Sequence, residues 1–448
     1  MKKITNRKHL ILYGCSGLGV NMLTLLVGSY LCSALLVGGF ESHIESWTYL
    51  NKDLVVAGLW GTLVFLAKAL DGIIDLPFAF LIDRINNKFG RRKTGLLIGF
   101  IPMIISFVLF LFPLTPGESI ANTIWFGVLL CIFYTFYTLT MLTYYATFRE
   151  VCQDEKDTLF LSNTKSICDV VYFSLGFALI PLFVSMDINI RFVALIFLPL
   201  SLTMLIPFFL LKEEKRESNE DGNEDGKTSL ITLKNSFQYS FKNGAFIYWM
   251  FTAFVMTIGL QLFLGGINEV FSSTGLNMTV VMASSFAPVP LTIMVYNKFI
   301  KKFGLGFAYR YILSVFSVGM MVLLFCFFNP FNFGNLGMHI VAILGGIFIS
   351  FSIGAFFSVT YTVPTHLAEL EFQRTGKTVS GMYFAVQGVF EGVAAGVATG
   401  IILVALKDNN VIWLLPIIAS ASCLIAFFMS FGFKDDIKLM GKVIEEEK

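Results

Sequence analysis

A chain of 448 residues with 56 % hydrophobic and 14 % charged side chains, and a mean hydropathy of +0.75, lies outside the range of soluble globular proteins. The net charge of +2 says little about partners, and no nucleic-acid partner is expected. With four histidines and seven scattered cysteines without a CxxC pair, a metal enzyme is not expected, the thiols are read as small apolar fillers, and no cofactor is expected beyond a coupling H⁺ or Na⁺.

Windows of about 20 apolar residues give twelve spans, near 10–37, 54–82, 94–113, 120–147, 166–186, 191–211, 243–268, 277–299, 307–329, 335–363, 379–406 and 411–433. Short loops between them leave no room for a soluble catalytic domain. No His/Asp/Ser constellation or phosphate-binding loop stands out, so an enzyme is not expected. The N-terminus carries Lys2, Lys3, Arg7 and Lys8 without an acid, and the second-to-third connection carries Arg84, Lys88, Arg91, Arg92 and Lys93. The first-to-second loop instead holds Glu41, Glu45 and Asp53 against Lys52. The positive-inside rule therefore places both termini in the cytoplasm of a multi-pass plasma-membrane protein, with the first span a signal anchor.

The second span contains Lys68, Asp71 and Asp75 at i, i+3 and i+7, on one helical face. Ionisable groups at bilayer depth cost roughly 2.5–3.5 kcal/mol each, which makes such a cluster a functional-site hypothesis. Two carboxylates one turn apart bind Na⁺ between them, share a proton, or pair with Lys68. A Lys68–Asp71 pair that only holds helices together is the structural alternative.

A polar run from Lys212 to Lys227 reads as a flexible cytoplasmic linker. It divides the chain into an N-terminal bundle (1–211), a linker (212–242), a C-terminal bundle (243–433) and a cytoplasmic tail (434–448). The halves share a faint repeat. Asp83-Arg84-Ile85-Asn86-Asn87-Lys88-Phe89-Gly90 leaves the second span, and Asn297-Lys298-Phe299-Ile300-Lys301-Lys302-Phe303-Gly304 leaves the eighth. Each follows a proline within its span, Pro77 and Pro290. Gly388, Gly392, Gly396 and Gly400 form a stripe on the eleventh span, and Gly14, Gly17 and Gly19 a similar one on the first, where another helix can approach.

Parallel six-span halves point to the major facilitator architecture, an all-α integral membrane fold of twelve transmembrane helices in two pseudo-symmetric bundles. Asp83-Arg84-x5-Gly90-Arg91-Arg92 resembles the loop motif of that superfamily. The longer pattern Lys68-x2-Asp71-x3-Asp75-x-Pro77-x5-Asp83-Arg84-x5-Gly90-Arg91-Arg92 resembles the glycoside–pentoside–hexuronide:cation symporter family, typified by melibiose permease. Tyr13-Gly14 with Asn21, Glu150-x3-Asp154-x2-Asp157 with Lys165, and Glu369-x5-Thr375-Gly376-Lys377-x3-Gly381 continue the resemblance in order along the chain. There are departures. Leu76 separates the second acid from the proline, Ala79 stands where a glycine is common, and Met141 takes the place of the fourth-span acid of sodium-coupled members. Asn21 stands where melibiose permease has a sugar-binding acid, and the eleventh-span lysine of that protein has no match, with Glu391 within one residue of its position.

The resemblance implies a cation-coupled symporter of a sugar or glycoside, working as a monomer. Asp71, Asp75, Lys68 and Thr138 would form the cation site, for H⁺ or Na⁺, with protons favoured by the missing fourth-span acid. Tyr145 would stack on a sugar ring while Asn21 and Lys165 bond its hydroxyls and Asp169 pairs with Lys165; Tyr145 as an interfacial anchor is an equal reading. Gln387 and Glu391, i and i+4 on one face, and Gln261 either line a cavity or bond between helices. Asp83, Arg84, Gly90, Arg91 and Arg92 would form a cytoplasmic gate, or simply set topology. The alternative function is a transporter of the same fold for an amphipathic lipid-like solute or drug, possible without coupling. The 49 phenylalanines keep that alternative open, although lipid-facing positions also account for them.

Overall fold

In a bilayer every backbone N–H and C=O must find its partner within the segment, and an apolar run of this length meets that requirement only as a helix. The computed structural model describes residues 4, 6–35, 54–84, 90–147, 151–152, 155–186, 188–211, 241, 243–375 and 380–442, and the regular structure among them is all helical. Eleven helices there are long and apolar enough to cross a membrane. The expected fifth span lies within a helix that runs Glu155–Ser185. The first half of that helix carries Asp157, Lys165 and Asp169. Most of the linker, the acidic first loop, Glu150, Asp154, Gly376 and Lys377 lie outside the described residues, as do the side chains of Asp75, Asp83, Arg84 and Arg91.

Local sequence explains where helices start and break. Asn6 and Ser119 accept from the backbone N–H of Lys8 (2.9 Å) and Asn122 (3.0 Å), capping the first and fourth spans. The first span is segmented at Ser16–Gly17 and passes through a π-turn at Leu26–Leu31; the eleventh has a π-turn at Val397–Ile402. The eighth is divided before Pro290 into Met278–Phe286 and Val289–Phe303.

The chain packs as two compact units. One comprises Met1–Lys215, Leu264–Ala283 and Ala395–Leu415; the other comprises Arg216–Phe263, Ser284–Ala394 and Pro416–Lys448. Small residues set the approaches within the first unit, since without a side chain two backbones can nearly touch. A Cβ on Gly19 would lie 1.9 Å from the carbonyl oxygen of Leu200 in the sixth span. One on Gly400 would meet the Phe65 nitrogen at 2.5 Å and the Gly61 oxygen at 2.6 Å, so part of the expected eleventh-span stripe receives the second span. Gly14 faces Thr164, and Gly176 faces Leu25 and Met22, which seats the fifth span against the first. The second unit has an aromatic core, with Trp249, Tyr309 and Phe433 at centroid separations of 5.5–6.0 Å. Phe209, Leu291 and Phe428 remain exposed, as lipid-facing residues would be.

The faint repeat has a backbone counterpart. Gly90 (φ 90°, ψ 154°) and Gly304 (φ 83°, ψ 166°) adopt nearly the same conformation, each immediately before the next helix, Arg91–Leu109 or Leu305–Phe328. That region of dihedral space is essentially open only to glycine, so the motif's last letter is dictated by geometry.

Candidate functional site

Four of the six expected substrate residues meet within the first unit. Asn21 is buried on the first span, and its Nδ2 donates to Asp169 Oδ1 on the fifth span at 3.1 Å. Its Oδ1 accepts from the hydroxyl of Tyr137 on the fourth span at 3.0 Å. Lys165 pairs with Asp169 one helical turn away, and its Nζ also lies 4.9 Å from the centre of the Tyr145 ring. Lys165 and Asp169 retain 18 % and 28 % exposure, and Tyr145 retains 38 %, so the cluster is only partly buried. It offers amide, carboxylate, ammonium and phenol groups beside an aromatic face. Tyr137 was absent from the sequence reading. Its only advance signal is its place one helical turn before Met141 on the fourth span.

A second cluster forms around Asp71. Thr138 on the fourth span (Ile120–Ala146) donates its hydroxyl to Asp71 Oδ1 on the second (Ala57–Arg84). This brings together two of the expected cation-site residues. Lys68 turns elsewhere: its Nζ sits 3.8 Å from the centre of the Tyr134 ring. An ammonium over an aromatic face gains electrostatic attraction that strengthens when water is excluded.

Lys68 also lines a cavity of about 30 Å³ with Cys32, Trp60, Tyr134, Thr399 and Lys407. This has room for a water molecule or so. Lys407 reaches Glu269 at 2.7 Å, with the two side chains 4 % and 2 % exposed. The sequence reading stopped the seventh and eleventh spans at 268 and 406, one residue short of each partner. The helices continue to Ser273 and Asp408, because a buried counter-charge lets an ionised group stay inside.

In the second unit, Gln387 Nε2 donates to Glu391 Oε1 at 2.8 Å and to the carbonyl of Thr360 at 2.6 Å. Its Oε1 accepts from Trp249 Nε1 at 3.0 Å. Gln387 thus bonds between helices, one of its two expected roles. Of the expected gate residues, Gly90 holds the conformation described above and Arg92 is buried.

Residues 12–408 match the family of MFS/sugar transport proteins. The chain belongs to that family. No curated protein sequence matches it. Among solved structures, the D-xylose-proton symporter superposes with a TM-score of 0.65 at 16 % identity, over 97 % of this chain and 99 % of that one. The nucleoside transporter NupG gives 0.62 at 14 %, over 95 % and 100 %. The inward-open xylose transporter XylE from E. coli gives 0.59 at 15 %, over 96 % and 98 %. At these identities the likeness establishes the major facilitator fold, and the family establishes a multi-pass membrane transporter rather than a member of an enzyme class.

For this transporter the charges divide by what surrounds them. Lys165 and Asp169 form a partly exposed pair, whereas Glu269 and Lys407 form a buried one. The first arrangement can exchange partners with a polar solute. The second leaves two uncompensated buried charges if the pair opens.

Proposed function

We propose that this transporter is a symporter that moves a sugar or glycoside together with H⁺ or Na⁺, in the manner of the glycoside–pentoside–hexuronide:cation symporters. The supporting observation is the Thr138–Asp71 hydrogen bond, which joins the second and fourth spans at an acid within a membrane helix. Asp71 accepts from a neutral hydroxyl there. A proton or Na⁺ arriving at the carboxylate would compete with that bond, and breaking it would loosen one helix from the other. Asp75 lies one turn further along the same helix and is the second acid of the reading. Protons are favoured because Met141 supplies no third carboxylate for Na⁺.

The solute's hydroxyls would bond to Asn21, Tyr137, Lys165 and Asp169, with the sugar ring against Tyr145. Neighbours named as a proton symporter and a xylose transporter are consistent with this reading. Alternating access of two six-helix halves (1–211 and 243–433), cytoplasmic termini, a plasma-membrane location and a monomeric state belong to the same proposal.

The test is uptake of a panel of labelled glycosides into proteoliposomes under imposed pH or Na⁺ gradients. Asp71→Asn is expected to abolish gradient-driven accumulation while leaving insertion and folding intact. Undiminished accumulation in that variant would sink the coupling assignment. Failure of every glycoside to accumulate in the wild type would remove the sugar assignment.

A further inference from the structure

Two of the seven cysteines meet between the first and fifth spans. Cys15, at the end of the first helical segment, and Cys168, on the fifth span, place their sulfur atoms 2.8 Å apart although 153 positions separate them. That is inside ordinary sulfur–sulfur contact. Closing to a disulfide, with S–S of about 2.05 Å, asks for a movement of less than about 1 Å. The helices are already held together on either side: Gly14 would place a Cβ 2.9 Å from Thr164, and Gly176 packs on Leu25. Cys15 is half-buried and Cys168 buried, so Cys15 is the more accessible thiol of the two.

We infer that Cys15 and Cys168 form a redox-modification site, in which a peroxide-class oxidant couples them into a disulfide between the first and fifth spans. The Cys15 thiolate attacks one peroxide oxygen; the O–O bond breaks, water leaves after the departing hydroxide takes a proton, and Cys15 becomes a sulfenic acid. Cys168 then attacks that sulfur, the S–O bond breaks, and a second water leaves with the Cys168 proton. Two thiols have lost two electrons and two protons, and one hydrogen peroxide has become two waters. A thiol reductant reverses the bond by exchange. Cys168 immediately precedes Asp169, so the link ties the backbone that supplies Asp169 to the helix that supplies Asn21. This inference does not depend on the identity of the solute.

The experiment treats purified full-length protein with hydrogen peroxide, alkylates the remaining thiols, digests, and reads the products by mass spectrometry. A linked Cys15–Cys168 peptide, lighter by two hydrogens and lost on adding dithiothreitol, is expected to be the main product. Cys32 and Cys131, which are also half-buried, serve as internal controls and are expected to remain unlinked. In Cys168→Ser, Cys15 is expected to stop at the sulfenic acid and accept dimedone. Wild-type Cys15 that gives the dimedone adduct without the linked peptide would overturn the inference. So would oxidation of Cys131 while Cys15 stays a free thiol, or a peroxide-treated protein in which Cys15 and Cys168 are both still fully alkylated.

Discussion

Neutralising one member of the Glu269–Lys407 pair should cost more than neutralising both. At 2.7 Å, two unit charges attract by about 6 kcal/mol at an effective dielectric near 20. Most of that offsets the loss of water around side chains that are 2 % and 4 % exposed. Glu269→Gln keeps the shape but leaves the buried Lys407 ammonium without its counter-charge, and Lys407→Met does the converse. Each single change is expected to cost about 3–5 kcal/mol, and the double variant Glu269→Gln/Lys407→Met is expected to recover most of it. For 448 residues melting as one block, at about 2.1 cal/mol/K per residue, the single variants should melt about 3–5 °C lower. Tryptophan-fluorescence melting of detergent-purified protein measures the cycle. Additive losses in the double variant, or single variants within about 1 kcal/mol of wild type, would refute the reasoning.

Gly304→Ala should destabilise by about 1–3 kcal/mol, because φ is +83° and the added methyl meets the Lys438 carbonyl at 2.7 Å; equilibrium melting reads this directly. Gly19→Ala should lower the yield of folded protein in size-exclusion chromatography, since its Cβ would overlap the Leu200 carbonyl and the first and sixth spans must part. A folded yield equal to wild type would contradict that packing. Asn21→Ala should raise the apparent KM for a transported glycoside by ten-fold or more, with Asp71-dependent coupling retained, because it removes the amide that joins Tyr137 and Asp169. A variant that instead loses coupling at unchanged KM would move Asn21 from the solute site to the ion site.

The candidate site was partly legible because some of its members are anomalous within their own segments. Asp71 in an apolar helix, or Lys165 and Asp169 opening the fifth span, violate the composition around them and mark themselves. Thr138 was found through its family position, and the structure joins it to Asp71. Tyr137 and Tyr134 were not found, since a tyrosine in a phenylalanine-rich span is compositionally ordinary and acquires a role only from what faces it. Glu269 and Lys407 were missed for a different reason. Each sits where a hydropathy window ends, and a charge at a window's edge looks like the edge.

The sequence by itself determined an all-helical membrane protein, because long apolar runs in lipid can satisfy their backbone only internally. It also determined the paired glycines at 90 and 304, whose φ of 90° and 83° with extended ψ is essentially open only to glycine. Tertiary structure alone decided which polar groups meet: Lys407 with Glu269 across 138 positions, Cys15 with Cys168 across 153, and Lys68 with the Tyr134 ring. Those meetings depend on the rotation and depth of each helix against its neighbours. Close contacts such as Gly19 on Leu200 and Gly400 on Phe65 fix both, and no single segment encodes them.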